Sequence, residues 1–321
     1  MKIIGGFYES LLPEESFEYH SKAVALSNGR ACIRLMLQNL NIKKCYVPNY
    51  TCDAVYHPFD LENVNYELYT IDECMEPVEQ FELREGEYFY YINYFGVKGR
   101  TVRRLQEIYG DKLIIDNTHD FFKKRQSNNW SFTSARKYFG VPDGAFLYAP
   151  IALREENIQR FKAISLRHGI EKLNGDQSEA FNHYQEYEKS LTSDIKRISL
   201  YSEKMLSLVD MQNVMLKRRE NFLILHSLLK ATNILTIDDM AEEDVPFAYP
   251  FMPGRLLPKS VFYRDSIFIP SLWTDPLKRS GTTDSEKLFA KNLMPLPIDE
   301  RYGREDMENM AKKIIGALQY A

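Results

Sequence analysis

The spacing of apolar residues changes repeatedly along the first half of the chain. Between Arg30 and Leu40 apolar positions fall three and four apart, which predicts a helix; Ser27 or Asn28 can cap its first turn. Cys45-Tyr46-Val47 is a short strand-like run closed by Pro48. Tyr66 to Ile71 and Tyr88 to Ile92 read as further strands, and Thr101 to Tyr109 as a helix. Lys112-Leu113-Ile114-Ile115-Asp116 is a strand with an acid at its carboxyl end. Trp130 to Thr133 and Ala145 to Tyr148 are strand-like runs separated by small polar residues, a lysine and a Gly/Pro turn.

Strands alternating with helices imply an α/β class with a mostly parallel sheet covered on both faces. Ligands of such sheets collect at the carboxyl ends of the strands, where Asp116 falls. From Glu155 to Leu229 the pattern is helical and highly charged. The remainder has strand-like runs at Ser260 to Phe262 and Ser266 to Ile269, then a last helix from Arg304 to Leu318. A soft boundary near 225 separates a larger domain, 1–225, from a smaller one, 226–321; without a Gly/Ser linker the two should contact closely. The chain has no internal repeat or low-complexity tract.

Composition narrows the function classes. With 44% hydrophobic and 27% charged residues over 321 positions, a globular protein with a substantial core is expected. The net charge of −4 comes without a long basic block, and Lys217-Arg218-Arg219 reads as a solvated face, so nucleic-acid binding is not expected. The cysteines, Cys32, Cys45, Cys52 and Cys74, form no C-x-x-C pair, so no disulfide framework or metal site is expected and a reducing compartment is favoured. Met1 to Gly6 is too short an apolar run for a signal peptide, and no stretch is long enough to span a membrane. A cytoplasmic location is the expectation.

Three segments carry candidate chemistry. Ser27-Asn28-Gly29-Arg30-Ala31 opens a helix, whose free N–H groups suit a phosphate, although many such starts bind nothing. Asp116-Asn117-Thr118-His119 follows an apolar strand, where a carboxylate can hold a cationic ring nitrogen; an Asx turn leaving the sheet is the plainer reading. Ser131 to Ala145 places Lys137 beside hydroxyl residues and Arg136, surroundings that favour a nucleophilic amine, although a lone hairpin lysine is more often only surface.

Taken together and in order, these segments resemble the DegT/DnrJ/StrS family of sugar aminotransferases, which depend on pyridoxal phosphate (PLP). Ser27-Asn28-Gly29-Arg30-Ala31 resembles the family's phosphate-binding helix start, and Pro48-Asn49-Tyr50-Thr51 its Pro-x-x-Thr segment. Asn93-Tyr94-Phe95-Gly96 is similar to its His-x-x-Gly loop, and Asp116-Asn117-Thr118-His119 to its Asp-x-x-Gln/His element. Ser131 to Ala145 resembles its lysine segment, with Pro142-Asp143-Gly144-Ala145 in place of Gly-Glu-Gly-Gly. Arg167-His168-Gly169 echoes an Arg-x-His-Gly segment, and Leu293 to Ile298 a Leu-x-Leu-Pro motif before the last helix. The family's Asn-x-Arg-Met segment has no counterpart between Glu171 and Lys189, and Cys52 stands where an aromatic residue is usual.

The resemblance implies the type I fold of PLP-dependent transferases: a mostly parallel mixed sheet flanked by helices, with a smaller C-terminal α+β domain. It implies Lys137, Asp116 and His119 as catalytic residues. Asn28, Gly29, Arg30, Tyr50, Asp116, His119, Ser131, Ser134 and Lys137 would bind the cofactor, and Asn93, Arg136 and Arg255 are candidate substrate contacts. The implied reaction moves an amino group from glutamate or glutamine to a keto-sugar nucleotide for surface polysaccharide, within a homodimer whose sites lie at the interface. A PLP dehydratase or lyase, a non-sugar aminotransferase, and a non-catalytic relic of the fold are the alternatives.

Overall fold

The computed structural model describes residues 10–125, 128–153, 157–162, 164–237 and 240–320. The N-terminal run Met1 to Gly6, and Glu155, lie outside the described residues. In chain order the elements are β1 (Val24–Leu26), α1 (Gly29–Asn39), β2 (Lys44–Pro48), α2 (His57–Leu61), β3 (Asn65–Tyr69), β4 (Glu87–Ile92), α3 (Gly99–Tyr109) and β5 (Leu113–Asp116). There follow β6 (Trp130–Ser134), β7 (Ala145–Tyr148), α4 (Arg167–Leu173), α5 (Gln177–Ser190), α6 (Leu200–Ser207) and α7 (Met211–Leu229). The last elements are β8 (Ala248–Phe251), α8 (Asp284–Asn292), β9 (Met294–Pro297) and α9 (Arg304–Tyr320).

The large sheet has the order β1-β7-β6-β5-β4-β2-β3. β7 runs antiparallel to both neighbours, and every other pair is parallel. This is the mixed, mostly parallel α/β sheet that the alternating pattern predicts. β4 and β5 lie inside it and show buried runs rather than alternation: Phe89 to Ile92 and Leu113 to Asp116 are buried throughout. α1 forms where predicted. The Asn28 side chain accepts the Ala31 N–H at 3.0 Å, and Ala31, Cys32, Ile33, Leu35, Met36 and Leu37 are its buried residues.

β8 and β9 pair antiparallel into a small second sheet, against which α7 packs together with α9. One hydrophobic core runs from Leu26 and Met36 under the large sheet to Phe289 and Ile314 near the C-terminus. Residue 225 falls inside α7, where Leu225 is fully buried in that core, so the sequence boundary cuts a continuous helix. The charged stretch before it breaks into α4, α5, α6 and α7. The strand-like run Ser260 to Phe262 lies in a 3-10 turn, Lys259–Asp265. Ser266 to Ile269 forms no strand either, because Ser266 sits at φ 57°, which breaks an extended run.

Candidate functional site

Asp116 ends β5, with Ile92 of β4 and Phe132 of β6 as its register partners. The parallel strands therefore converge on this carboxylate at their carboxyl ends. Tyr90, two positions before Ile92 on the same face, donates its hydroxyl to Asp116 Oδ2 at 2.6 Å. The Thr118 N–H donates to Oδ1 at 2.8 Å, the Asx geometry of a chain leaving a strand. Burial pushes the Asp116 carboxyl above its ordinary range, while the bonds from Tyr90 and Thr118 and the nearby Lys137 amine oppose that shift. The turn reading is realised, and the turn bond leaves the carboxylate within the field of Lys137.

Lys137 ends a 3-10 turn, Ala135–Lys137, directly after β6, and its side chain is exposed. Its charge acts on Asp116, His119, Cys52 and Glu188 alike. One amine therefore influences groups drawn from three separate chain segments. The turn is kept tight by Gly144, at φ 128°, whose N–H donates to the Ser27 carbonyl at 2.7 Å while its own carbonyl accepts the Ala135 N–H at 3.0 Å. Asp143, in the same turn, is wholly structural: it accepts the Ser199 N–H at 2.7 Å and the hydroxyls of Ser199 and Ser202.

His119 is buried between aromatic rings. Phe247 and Trp273 stack on it at centroid distances of 4.5 and 5.0 Å. Burial pushes the imidazole well below its ordinary range and Lys137 adds to the effect, so the ring is neutral. Its Nδ1 accepts the Phe95 N–H at 3.3 Å, which leaves the proton on Nε2. The loop Asn93 to Gly96 supports it from behind. At Gly96 any Cβ would collide with the His119 carbonyl oxygen, so the glycine of that motif is required by close approach.

Four sequence-derived site residues are placed elsewhere. Tyr50 is fully buried against Tyr94, Trp273 and Phe289 and faces the C-terminal core; Cys52, two residues on, is the one in the fields of Lys137 and Asp116. Ser131 points away from α1, into a cavity of about 20 Å³ with Asn117, Gln106 and Lys123. Strand alternation puts Ser134 on the opposite face with Phe132, which underlies Gly29. Asn93 spends both amide hydrogens on Asn117 and Asp120 and its oxygen on the Lys98 N–H, so it ties loops together. Arg255 is exposed on the loop after β8.

At the start of α1 the backbone approaches the sheet closely. A Cβ at Gly29 would stand 3.3 Å from the Phe132 ring and 3.7 Å from Thr118 Cγ2, so the helix start lies close over the end of the sheet. Arg30 donates to the Leu191 carbonyl at 2.8 Å, and the Asn28 amide to the Thr192 carbonyl at 3.1 Å. Arg136 pairs with Glu188 of α5. Sequence reasoning missed Tyr90, Phe247, Trp273 and Glu188. Each reaches the site from a distant segment, and nothing in its local pattern signals that.

The fold is that of known sugar-modifying enzymes. Sugar aminotransferase CalS13 from Micromonospora echinospora superposes with a TM-score of 0.64 at 13% identity, covering 92% of this chain and 87% of its own. A DegT DnrJ EryC1 StrS aminotransferase from Brucella abortus gives 0.59 at 14%, covering 92% and 85%. The E. coli GDP-4-keto-6-deoxy-D-mannose-3-dehydratase, solved with bound hydrated PLP, gives 0.65 at 12%, covering 92% and 88%. No family model and no curated protein sequence matches the chain.

Proposed function

We propose that this chain is a PLP-dependent aminotransferase that moves an amino group from glutamate or glutamine to a keto-sugar nucleotide in surface polysaccharide synthesis. The observation that carries the reading is that Lys137, in the turn directly after β6, lies near enough to Asp116, at the carboxyl end of neighbouring β5, for its charge to act on that carboxylate. The donor set fits the cofactor: a nucleophilic amine, a buried carboxylate for a cationic ring nitrogen, a neutral imidazole, and a helix start with Arg30 for a phosphate. When bound, PLP supplies the electron sink for cleavage at an amino-bearing carbon.

The chain's own residues divide the work. Lys137 would hold the cofactor aldehyde and, once released by the substrate amine, move a proton at the amino-bearing carbon. Asp116, whose anionic form the Tyr90 hydroxyl and the Thr118 N–H favour, would hold the proton on the ring nitrogen. His119, with Nε2–H free of the Phe95 bond, would donate toward the ring oxygen. Ser134, Asn28, Gly29 and Arg30 would seat the phosphate, and Arg136 a ligand carboxylate. A cytoplasmic homodimer with sites at its interface completes the proposal.

Borohydride reduction followed by peptide mass mapping tests this reading. A phosphopyridoxyl group on the peptide carrying Lys137 is expected; a colourless protein with no adduct would leave a non-catalytic relic of the fold. A dehydratase is the second reading, favoured by the likeness to the E. coli 3-dehydratase. Conversion of the bound cofactor to its amine form by glutamate or glutamine, with release of the keto acid and amination of a keto-sugar nucleotide, separates the aminotransferase from it.

A further inference from the structure

The carboxyl end of α5 is clamped onto the start of α1 by groups that would otherwise face a ligand. Glu188 forms an ion pair with Arg136 and lies in the fields of Lys137 and Arg30. Arg30 is held by the Leu191 carbonyl and Asn28 by the Thr192 carbonyl, and Ser193 hydrogen-bonds His57 at 2.7 Å. Burial pushes the Glu188 carboxyl up, but the three cations more than offset it, and the net position is below the ordinary glutamate range. Arg136 is nevertheless not saturated: its Nε is buried without a hydrogen-bond partner, and its guanidinium lies 5.7 Å from the Tyr187 ring centroid. The Glu188 side chain keeps 35% of its exposure, against 13% for Arg136. The guanidinium is therefore the fixed member of the pair and the carboxylate the displaceable one.

We infer that Arg136, with Arg30 and Lys137 beside it, is an anion subsite, and that Glu188 fills it until a ligand carboxylate or phosphate takes its place. A glutamate carboxylate held on a guanidinium carries the charge of such a group, so the chain's own residue identifies the ligand class. Glu188 acts as an internal competitor: every anion that enters must first break this pair. The inference rests on the proposed function for the identity of the ligand, whereas the subsite itself can be tested without it.

The experiment is calorimetric titration of the full chain with inorganic phosphate and, separately, with glutarate, before any cofactor is added. Glu188→Gln should tighten at least one of the two roughly three- to tenfold, the range expected when a partly exposed ion pair no longer competes. Tightening of phosphate alone identifies a phosphate subsite, and tightening of glutarate alone a carboxylate subsite. Glu186→Gln removes the same charge from an exposed position on α5 and should move neither affinity by as much as twofold. Unchanged or weaker binding of both probes in Glu188→Gln, or an equal gain in Glu186→Gln, would overturn the inference. Glu188→Asp, which keeps the charge but withdraws it by one methylene, gives the same reading if the glutamine variant does not fold. Both titrations are made on the cofactor-free chain and read anion binding alone, so their failure is distinguishable from failure of the proposed reaction.

Discussion

Asp116 and Asp120 stand four positions apart in one segment, and burial holds both carboxyls above their ordinary range. Their surroundings differ in kind. Asp116 has two strong donors at 2.6 and 2.8 Å and an exposed lysine amine on its open side. Asp120 is closed in. Its Oδ2 accepts a 3.4 Å bond from Asn93, its Oδ1 has no partner, and a second buried carboxylate, Asp244, lies near enough to raise it further. Lys123, 2.7 Å from Asp244, supplies the compensating charge and is itself nearly covered. The first arrangement leaves an exposed amine near the carboxylate; the second joins the site loop to the segment around 244. A buried acid beside a lysine is thus no mark of function by itself: access decides.

The two lysines give the largest contrast. Lys137→Ala is expected to lower turnover by at least about a thousandfold and to abolish the borohydride-fixed adduct, with the unfolding midpoint nearly unchanged. Lys123→Ala should do the reverse. It leaves two buried carboxylates without their cation, at a cost of about 3 kcal/mol in urea unfolding, while the adduct at Lys137 still forms.

Next in size is the pH dependence of the second cluster. A carboxyl whose folded pKa is raised binds more protons folded than unfolded, so its contribution to stability falls as pH rises from about 4 through its folded pKa. The stability of the parent chain relative to Asp120→Asn should therefore decline over that window, as urea titrations at successive pH values would show. A flat difference would mean that Asp120 is not perturbed as its burial requires.

Tyr90→Phe removes the shorter bond to Asp116 and should cost about 1–2 kcal/mol in the step that needs the anionic carboxylate, close to tenfold in turnover. The pH at which the cofactor spectrum changes should move with it, which a mere packing defect would not cause. The smallest expected effect separates the two faces of β6. Ser134→Ala should weaken PLP binding a few-fold by fluorescence titration, whereas Ser131→Ala, on the far face, should leave it unchanged.

Much of this was legible in the chain. α1 with its Asn28 cap, β5 ending in Asp116, and the β6–turn–β7 unit holding Lys137 follow from local period and turn chemistry. Their order also carried the family resemblance and hence the fold. What stayed hidden was which way side chains face once the chain leaves a regular element. Tyr50 and Cys52 differ by two positions, and only the turn after β2 decides that one enters the core and the other lies in the field of Lys137. Ser131 and Ser134 are both small polar residues in one strand, and the pleat alone separates them.

The sequence by itself determined the alternation of elements and the residue types at the strand ends, because period, capping and turn preferences act over a few neighbouring residues. Only the tertiary structure decided that Glu188 sits on Arg136, that Tyr90 holds Asp116, and that Phe247 and Trp273 enclose His119. Those contacts join positions 26 to 154 residues apart. Their formation depends on how the helices and sheets bury their apolar faces together, a condition that no local pattern encodes.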